Sequence, residues 1–411
     1  MSELIGACVF AQSGGPTAVI NASAYGVITA ALAATEITHV YGAANGIAGL
    51  LKGKLYDLGQ EDAQELEYLL NTPSSELGSC RYKMKSHVED ETDYITILEL
   101  FKRLNVRYFF YNGGNDSMDT CDKVSRYFEQ VGYECRVMGI PKTIDNDLCG
   151  TDHSPGFGSA AKYIATSIAE ICKDTHVYDA GTVTVVEMMG RHAGWLAGSS
   201  ALASFSCASP DLIYLPEVTF DMQEFIEDVT EVYNRKKKCL IAVSEGISYA
   251  DGSFVSEATV SATDGFGHVQ LGGLAVTLAG IIHQRTGAKV RGIELSLLQR
   301  CGAHLASQTD IDEARRAGSF AVEQAVAGVS GKMVAFKCKR DGGYECELIL
   351  QPLSVCANNE QKVPREWINE RGNYITDEFV DYVLPLIQGE NTRATVNGLP
   401  RFAQLKKVPV L

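Results

Sequence analysis

The sequence predicts an α/β fold with two Rossmann-like domains, each a parallel sheet sandwiched by helices. Short apolar segments alternate with glycine-containing turns and helical segments, which is the pattern of repeated strand–turn–helix units. A chain of 411 residues is too long for one ordinary core, so two domains are expected. Ligands of such folds bind beyond the carboxyl ends of the strands, so the functional residues are expected there.

The elements follow one another in that order along most of the chain. The predicted strands are residues 5–11, 106–111, 137–140, 182–188, 240–243 and 289–295. The predicted helices that follow three of them are residues 18–33, 117–130 and 193–203. After residue 330 the pattern changes, because segments 333–339 and 344–350 flank an Arg-Asp-Gly-Gly turn and predict a β-hairpin. One further helix is predicted at 376–387.

Composition and charge exclude several classes of protein. The net charge of −15, from 36 basic and 51 acidic residues, disfavours binding to nucleic acid or to an anionic membrane. The sequence has no apolar run of membrane-spanning length, and its N-terminus lacks the features of a signal peptide. The 12 cysteines include no CxxC pair and the 8 histidines no HxxxH spacing, which argues against a zinc site or a disulfide framework. A cytoplasmic enzyme with reduced thiols is therefore expected.

A paired-glycine turn follows the first predicted strand. Residues 13–17, Ser-Gly-Gly-Pro-Thr, would let backbone N–H groups approach an anion at the start of a helix. The run lacks the third glycine of a dinucleotide fingerprint, and no phosphate-binding GxxxxGK[ST] motif occurs elsewhere. A purely structural turn is the alternative.

Two further runs place carboxylates after buried strands. Residues 113–117 are Gly-Gly-Asn-Asp-Ser, and residues 141–147 are Pro-Lys-Thr-Ile-Asp-Asn-Asp. Two carboxylates two residues apart can divide the roles of proton acceptor and metal contact, while a lysine beside them can neutralise phosphate charge. Together they predict metal-assisted phosphoryl transfer. The alternative for each run is a polar turn that caps the next helix.

Arginines follow or bracket other predicted strands. Arg191 ends the run Met189-Gly190-Arg191, Arg81 lies in another glycine turn, and Arg291 and Arg300 bracket the strand at 289–295. A guanidinium can hold a phosphate through two parallel hydrogen bonds, although an exposed position is the alternative for any one of them. Glu245, after another strand, could accept a hydrogen bond from a sugar hydroxyl or cap a helix.

Read together, these runs resemble the phosphofructokinase family. The matching segments keep the family's order from about residue 5 to 340, and the Thr-Ile-Asp-Asn-Asp and Met-Gly-Arg runs are specific to it. The run Lys-Val-Pro-Arg-Glu-Trp-Ile at 362–368 is similar to the branch that uses pyrophosphate. The resemblance implies phosphoryl transfer to the 1-hydroxyl of fructose 6-phosphate, in a cleft between the domains.

The resemblance also implies how the domains divide. The domain that binds the phosphoryl donor would span 1–150 plus about 300–335. The domain that binds fructose 6-phosphate would span about 151–299 plus 336–411, including a C-terminal extension. A homo-oligomer, either a dimer or a tetramer, is implied as well.

The roles that the resemblance implies cover most of the polar strand ends. Asp145 matches the catalytic base, and Lys142 and Arg191 would stabilise the transferring group. The residues expected to bind the sugar phosphate are Thr143, Asp145, Met189, Gly190, Arg191, Glu245, Arg291 (reaching in from a neighbouring subunit), Leu297 and Arg300. The residues expected to bind the donor are Gly15, Arg81, Gly114, Asp116, Ser117 and Lys142. Mg²⁺ is the expected cofactor, with Asn115 and Asp147 as its candidate ligands.

Two positions indicate which compound is the phosphoryl donor. The resemblance implies that ATP-using members have glycine where this chain has Asp116 and Lys142. Two like charges about 4 Å apart repel by roughly 4 kcal/mol at an effective dielectric of 20, so Asp116 would oppose a nucleotide's α-phosphate. The sequence therefore predicts pyrophosphate as the donor. The alternatives are an ATP-dependent 6-phosphofructokinase and, in a different class, a non-catalytic regulatory subunit that binds sugar phosphate.

Overall fold

The computed structural model describes residues 4–177, 179–256, 271–357 and 359–410. Within these ranges the strands are β1 Gly6–Gln12, β2 Ile37–Ala43, β3 Leu55–Asp57, β4 Val106–Gly113, β5 Arg136–Pro141, β6 Thr182–Met188, β7 Leu212–Tyr214, β8 Lys238–Ser244, β9 Lys289–Glu294, β10 Lys332–Lys339, β11 Glu345–Pro352, β12 Thr395–Val396 and β13 Leu399–Pro400. The α-helices are α1 Ile20–Ala33, α2 Gly46–Leu50, α3 Ala63–Tyr68, α4 Thr92–Leu104, α5 Asn115–Gln130, α6 Phe157–Thr175, α7 Trp195–Ser199, α8 Met222–Lys236, α9 Leu274–Thr286, α10 Leu298–Cys301, α11 Gln308–Val326, α12 Leu353–Cys356 and α13 Asp377–Val383.

The chain divides into two compact units. The first comprises the described residues up to Gly156, Ala306–Glu360 and those from Gly389 onward, and the second comprises the described residues of Phe157–Leu305 and Gln361–Gln388. The expected second domain had included all of 336–411, and this boundary is wrong for 336–360 and 389–410. The reason is that β10 pairs with β5 and β11 with β10. Residues near the C-terminus also pair with β3, through the backbone bonds of Val408 and Val410.

The first unit is built on a seven-stranded sheet in the order β11-β10-β5-β4-β1-β2-β3. The five inner strands are parallel, and the two edge strands β11 and β3 run antiparallel to their neighbours. Side chains alternate along β1, so Ala7, Val9 and Ala11 enter one core cluster and Cys8 and Phe10 the other. Both faces are therefore buried, which explains why β1 is apolar almost throughout.

The second unit is built on a four-stranded sheet in the order β7-β8-β6-β9, and all of its pairs are parallel. One face buries Val183 and Val185 of β6 against apolar residues of α8 and α9, including Phe225 and Leu278. The α/β class and the parallel sheets predicted from the sequence are confirmed.

Two predicted helices are shorter than expected. The segment predicted as a helix at 193–203 forms only α7, and residues Ser200–Ser206 continue as a 3-10 helix. The helix predicted at 376–387 ends as α13, and Leu384–Ile387 forms a 3-10 turn that contains Pro385. Proline has no amide hydrogen to donate, so it favours the change of winding at this point.

Among the described helices, none combines the length and the apolar character that a bilayer crossing requires.

Candidate active site

Three of the polar turns predicted from the sequence lie beyond the carboxyl ends of adjacent strands in the first unit. β5, β4 and β1 are neighbours and parallel, so the turns that follow them gather at one edge of the sheet. Gln12 ends β1 next to Asn112 of β4, and Gly113 of β4 pairs with Pro141 of β5. This is the edge at which α/β sheets hold their ligands.

Lys142 joins these turns. Its side chain is buried, with 4% exposed, and its Nζ donates to the carbonyl oxygen of Gly15 at 2.6 Å. Its backbone nitrogen donates to the carbonyl of Gly113 at 3.0 Å. The ammonium group is thus fixed beside the paired-glycine turn after β1, where it adds positive charge to backbone groups that can face an anion.

The paired-glycine turn is held from its other side by the segment around Cys80. The backbone nitrogen of Gly14 donates to the carbonyl of Cys80 at 3.1 Å, and Ser79 Oγ donates to the carbonyl of Gly14 at 2.6 Å. Arg81 follows directly and is exposed. Gly15 and Arg81, both expected on the donor side, therefore belong to neighbouring turns.

The run after β4 opens a helix earlier than predicted. Asn115, Asp116 and Ser117 form the first turn of α5, whereas the helix was expected from residue 117. Asp116 therefore lies in the first turn, where the helix dipole favours a carboxylate. Its side chain is 28% exposed, and Lys83 Nζ lies 3.7 Å from its Oδ1. Ser117 is buried behind Gly113.

The segment after β5 is ordered by its own polar side chains. Thr143 is buried, its nitrogen donates to the carbonyl of Pro155, and its Oγ1 accepts from the nitrogen of Asp145 at 3.1 Å. Asn146 has a left-handed backbone with φ 55°, and its buried Oδ1 accepts from the nitrogen of Ser154 at 3.0 Å. These bonds fix the backbone on both sides of Asp145.

Asp145 and Asp147 are both half-buried. Burial, together with repulsion from Asp145, raises the pKa of Asp147 above its usual range. Two mutually repelling carboxylates suit a bound divalent cation, and their oxygens are the ligand type that Mg²⁺ prefers. The residues present thus fit Mg²⁺. Asn115 donates through its amide nitrogen to the carbonyl of Asn359 at 2.7 Å, so it is oriented by a backbone group.

The second unit holds the turn at Met189, Gly190 and Arg191. The nitrogen of Met189 donates to Gln299 Oε1, and the nitrogen of Gly190 donates to Glu245 Oε1, each at 3.2 Å. Glu245 follows β8, which is the neighbour of β6. Glu245 is therefore placed beside the Met-Gly-Arg turn, and one of its oxygens positions that turn.

Two glycines make this arrangement possible. Gly190 has φ 130°, a conformation that residues with side chains rarely adopt. A Cβ on Gly246 would lie 1.9 Å from the carbonyl oxygen of Arg191, so no larger residue fits without moving the turn. Glycine at both positions is thus required by backbone geometry.

The remaining predicted sugar-phosphate residues lie on β9, in α10 and directly before α10. Arg291 is exposed and its Nη1 lies 3.2 Å from Asp174 Oδ2. Leu297 is 54% exposed, and Arg300, in the short helix α10, is half-buried. In the described structure Arg291 faces an acidic side chain of its own unit, and its expected reach into a neighbouring subunit stays a prediction.

Comparisons with known proteins agree with these features. A profile of the family described as Phosphofructokinase matches residues 7–325.

The chain belongs to the phosphofructokinase family.

Similar family members span nearly the whole chain. A protein of Halomonas elongata named pyrophosphate–fructose 6-phosphate 1-phosphotransferase is 46% identical over 97% of this chain and 96% of its own. A protein of the same name from Methylococcus capsulatus is 44% identical over 98% and 96%. The crystal structure of pyrophosphate-dependent phosphofructokinase from Nitrosospira multiformis, 40% identical, covers 99% of this chain and 98% of its own with a TM-score of 0.90.

Several residues that position this phosphofructokinase site were not predicted from the sequence. Lys83, which pairs with Asp116, follows Arg81 by two residues, so a second cation beside a predicted donor-binding arginine was a usable signal. Gln299 is not among the predicted site residues, because its hydrogen bond to Met189 spans 110 residues and has no local signature. Ser79 likewise reaches Gly14 across 65 residues.

Proposed function

We propose that this chain is a pyrophosphate–fructose 6-phosphate 1-phosphotransferase. It transfers a phosphoryl group from pyrophosphate to the 1-hydroxyl of fructose 6-phosphate and yields fructose 1,6-bisphosphate and phosphate. The free-energy difference between the two phosphoryl compounds is small, so the reaction runs in both directions. Full-length relatives with this name at 44–46% identity support the proposal.

The choice of donor rests on one observation, which is that charged side chains follow β4 and β5. Asp116 stands in the first turn of α5, and the ammonium of Lys142 is fixed on the carbonyl of Gly15. A carboxylate at Asp116 repels a further phosphate by roughly 4 kcal/mol at 4 Å and a dielectric of 20. Pyrophosphate needs no space for an α-phosphate and a nucleoside, so it is the donor that this arrangement accepts.

In the chemical step, the oxygen of the sugar's 1-hydroxyl attacks one phosphorus of pyrophosphate. The new P–O bond forms as the bridging P–O bond breaks, the hydroxyl proton passes to Asp145, and phosphate leaves. The bond from its own nitrogen to Thr143 Oγ1 holds the backbone of Asp145 for this task. Lys142 and Arg191 stabilise the charge on the transferring group, and donor binding also involves Gly15, Arg81, Gly114 and Ser117.

The residues that would hold Mg²⁺ are Asp147 and Asn115. When bound, the ion neutralises phosphate charge and polarises the phosphoryl oxygens. The raised pKa of Asp147 supports this role, since a cation relieves the repulsion between its carboxylate and that of Asp145.

Most of the residues assigned to fructose 6-phosphate binding belong to the second unit, whereas Thr143 and Asp145, which act near the reacting hydroxyl, belong to the first. Met189, Gly190 and Arg191 contact the sugar phosphate, Glu245 accepts from a sugar hydroxyl, and Arg300 holds the 6-phosphate beside Leu297. Glu245 Oε1 already fixes the turn through Gly190, which supports a shared binding surface. Arg291 completes the clamp of a neighbouring subunit in a homo-oligomer. We also propose a cytoplasmic location, supported by 12 cysteines that are all free thiols in the structure.

A donor screen tests the proposal. The purified chain is assayed with fructose 6-phosphate and Mg²⁺, with either pyrophosphate or ATP as the donor. Turnover with pyrophosphate at least about a hundredfold faster than with ATP is expected. Faster turnover with ATP would establish an ATP-dependent kinase instead. Binding of fructose 6-phosphate without turnover by either donor would establish a regulatory subunit.

A further inference from the structure

Two cysteines face each other across the β10–β11 hairpin. Cys338 pairs with Cys346 in the antiparallel register, and both side chains are half-buried. Directly opposed residues have Cα atoms about 4.5–5.5 Å apart, which is within the range of a disulfide. The flanking pairs, Lys337 with Glu347 and Lys339 with Glu345, oppose charges of opposite sign and favour this register.

Cys338 lies beside a buried cation. Its Sγ is 3.7 Å from His153 Nδ1 and 3.5 Å from Tyr344 Oη. His153 is buried between two carboxylates, with Nε2 2.8 Å from Glu313 Oε2 and Nδ1 3.1 Å from Asp152 Oδ1. Burial opposes its charge, but Glu313 and Asp152 raise the pKa of His153 well above its usual value. The ring is therefore a cation directed at the sulfur.

The two thiols differ in acidity. The hydrogen bond from Cys346 and the contact with His153 lower the pKa of Cys338 against the opposing effect of burial, while the bond to Cys338 raises the pKa of Cys346. Glu313 accepts from Tyr344 as well as from His153, and Arg340 binds both oxygens of Asp152. In contrast, burial raises the pKa of Cys8 to about 12 and raises that of Cys121 well above its usual value.

We propose that Cys338 and Cys346 form a peroxide-sensitive thiol pair, in which Cys338 is the attacking thiolate and Cys346 the resolving thiol. The Cys338 sulfur attacks one oxygen of hydrogen peroxide, the O–O bond breaks, and hydroxide leaves and takes a proton to give water and a sulfenic acid. The Cys346 sulfur then attacks the Cys338 sulfur, and the S–O bond breaks. A disulfide forms and a second water leaves, so one peroxide is reduced for every two thiols oxidised.

A metal-binding site is the alternative interpretation of this cluster. Asp152, His153 and Cys338 could offer one ligand atom each, and they are the only such group within the described ranges. However, Arg340 occupies both oxygens of Asp152 at 2.7 and 2.8 Å, and His153 already supplies the balancing positive charge. The observations therefore favour the thiol pair.

The hairpin connects this pair to the sheet of the first unit. β10 pairs with β5, which leads directly to Lys142. The backbone of Phe336 bonds to Thr151 Oγ1 and to the nitrogen of Asp152. A disulfide would thus form two residue pairs along the hairpin from Phe336, whose backbone anchors the segment that follows Asp147.

Peptide mapping tests the proposal on the full chain. The protein is dialysed against a chelator, treated with hydrogen peroxide or with a reductant, alkylated and digested with trypsin. In the peroxide sample we expect the peptides of Cys338 and Cys346 to be joined and both thiols to escape alkylation, with full reversal by reductant. The oxidation of Cys338 should exceed that of the exposed Cys207 by about tenfold.

Two variants distinguish the attacking thiol from the resolving thiol. In Cys346→Ser, Cys338 should stop at a sulfenic acid that a dimedone probe captures, whereas in Cys338→Ser, Cys346 should stay alkylatable. Alkylation of both thiols after peroxide, equal to that in the reduced sample, would overturn the proposal. Stoichiometric zinc in the protein as purified, protecting both thiols until chelation, would overturn it in favour of a metal site.

Discussion

At the scale of single residues, Asp145 is the most direct test of the chemistry. Replacing it with asparagine preserves the shape and removes the proton acceptor, so kcat should fall by about 10²–10⁴-fold while fructose 6-phosphate binding is retained. Steady-state kinetics and calorimetric binding measure the two effects. Asp341→Asn, at an exposed position in the hairpin turn, is the matched control and should change neither. Normal turnover by Asp145→Asn would remove Asp145 from the mechanism.

The donor argument depends on Asp116 and Lys142 together. In the double variant Asp116→Gly with Lys142→Gly, the fixed ammonium and the repelling carboxylate are both lost. The kcat/KM for pyrophosphate should drop by about a hundredfold or more, and ATP should become a measurable donor. The control is the same pair of substitutions at Asp90 and Lys85, an exposed pair with 4.0 Å between its charged atoms. Full pyrophosphate activity in the double variant would contradict the donor assignment.

The unfavourable ionisation of Asp147 should lower the free energy of unfolding measurably. Its pKa is raised in the folded state, so ionisation costs the folded protein free energy, beginning above its ordinary pKa and complete above the raised one. Asp147→Asn should therefore increase the free energy of unfolding at pH 8 in EDTA, on the order of 2 kcal/mol. This gain in the free energy of unfolding should shrink as the pH falls toward 5. The enzymatic activity of the variant should be lower than that of the parent protein. Equal stability of both proteins at pH 8 would show that the repulsion is already relieved.

At the scale of elements, strand ends were the most predictable part of the molecule. The periodicity of β1, β4, β5 and β6 is short-range, and a glycine or a charged residue occurs within two residues after each of them, so their turns could be located from sequence. Helix ends were predicted less accurately. The early start of α5 depends on backbone bonds that no local pattern records, whereas the change of winding at Pro385 has a local cause in the missing amide hydrogen of proline. The contacts of Gln299 and Ser79 come from distant segments, so only the fold brings them together.

The turn between β6 and α7 offers a test at this scale. A Cβ on Gly246 would lie 1.9 Å from the Arg191 carbonyl, so Gly246→Ala must displace the Met-Gly-Arg turn. The KM for fructose 6-phosphate should rise by about tenfold or more, with a smaller change in that for pyrophosphate. Gly280→Ala is the control, since nothing lies within 4 Å of its added Cβ and alanine suits the interior of α9. A larger effect on pyrophosphate than on the sugar would assign this turn to the donor.

At the scale of the whole molecule, each unit has its own core and its own parallel sheet, and the chain passes between them four times. The hairpin β10–β11 and the segment after Gly389 return to the first unit, which the change of pattern near residue 330 did not reveal. Strand pairing decides to which unit these segments belong. The sequence shows that β10 and β11 form a hairpin, but their attachment to β5 rests on pairs such as Lys332 with Met138, separated by almost 200 residues.

The buried cluster around His153 gives a final prediction, on the stability of the first unit. The pKa of His153 is raised, so its charge stabilises the fold fully below its ordinary value and loses that effect as the pH rises through the folded value. The pKa values of Asp152 and Glu313 are lowered, so their contribution is present above their ordinary values and is lost on acidification. At pH values above the ordinary pKa values of the two carboxyl groups and below the raised pKa of His153, all three groups are charged. In that range His153→Gln leaves Glu313 buried without its cation, and the free energy of unfolding should fall by about 3–5 kcal/mol.

Hydrogen exchange can measure this loss element by element. Amides of β10, β11 and α11 should lose protection in His153→Gln at pH 7, while those of β6 and β8 change less, because their core is separate. The exposed His39→Gln is the control and should match the parent protein. A uniform loss of protection in both sheets would show that the two units unfold as one, and unchanged protection throughout would show that the cluster contributes nothing to stability.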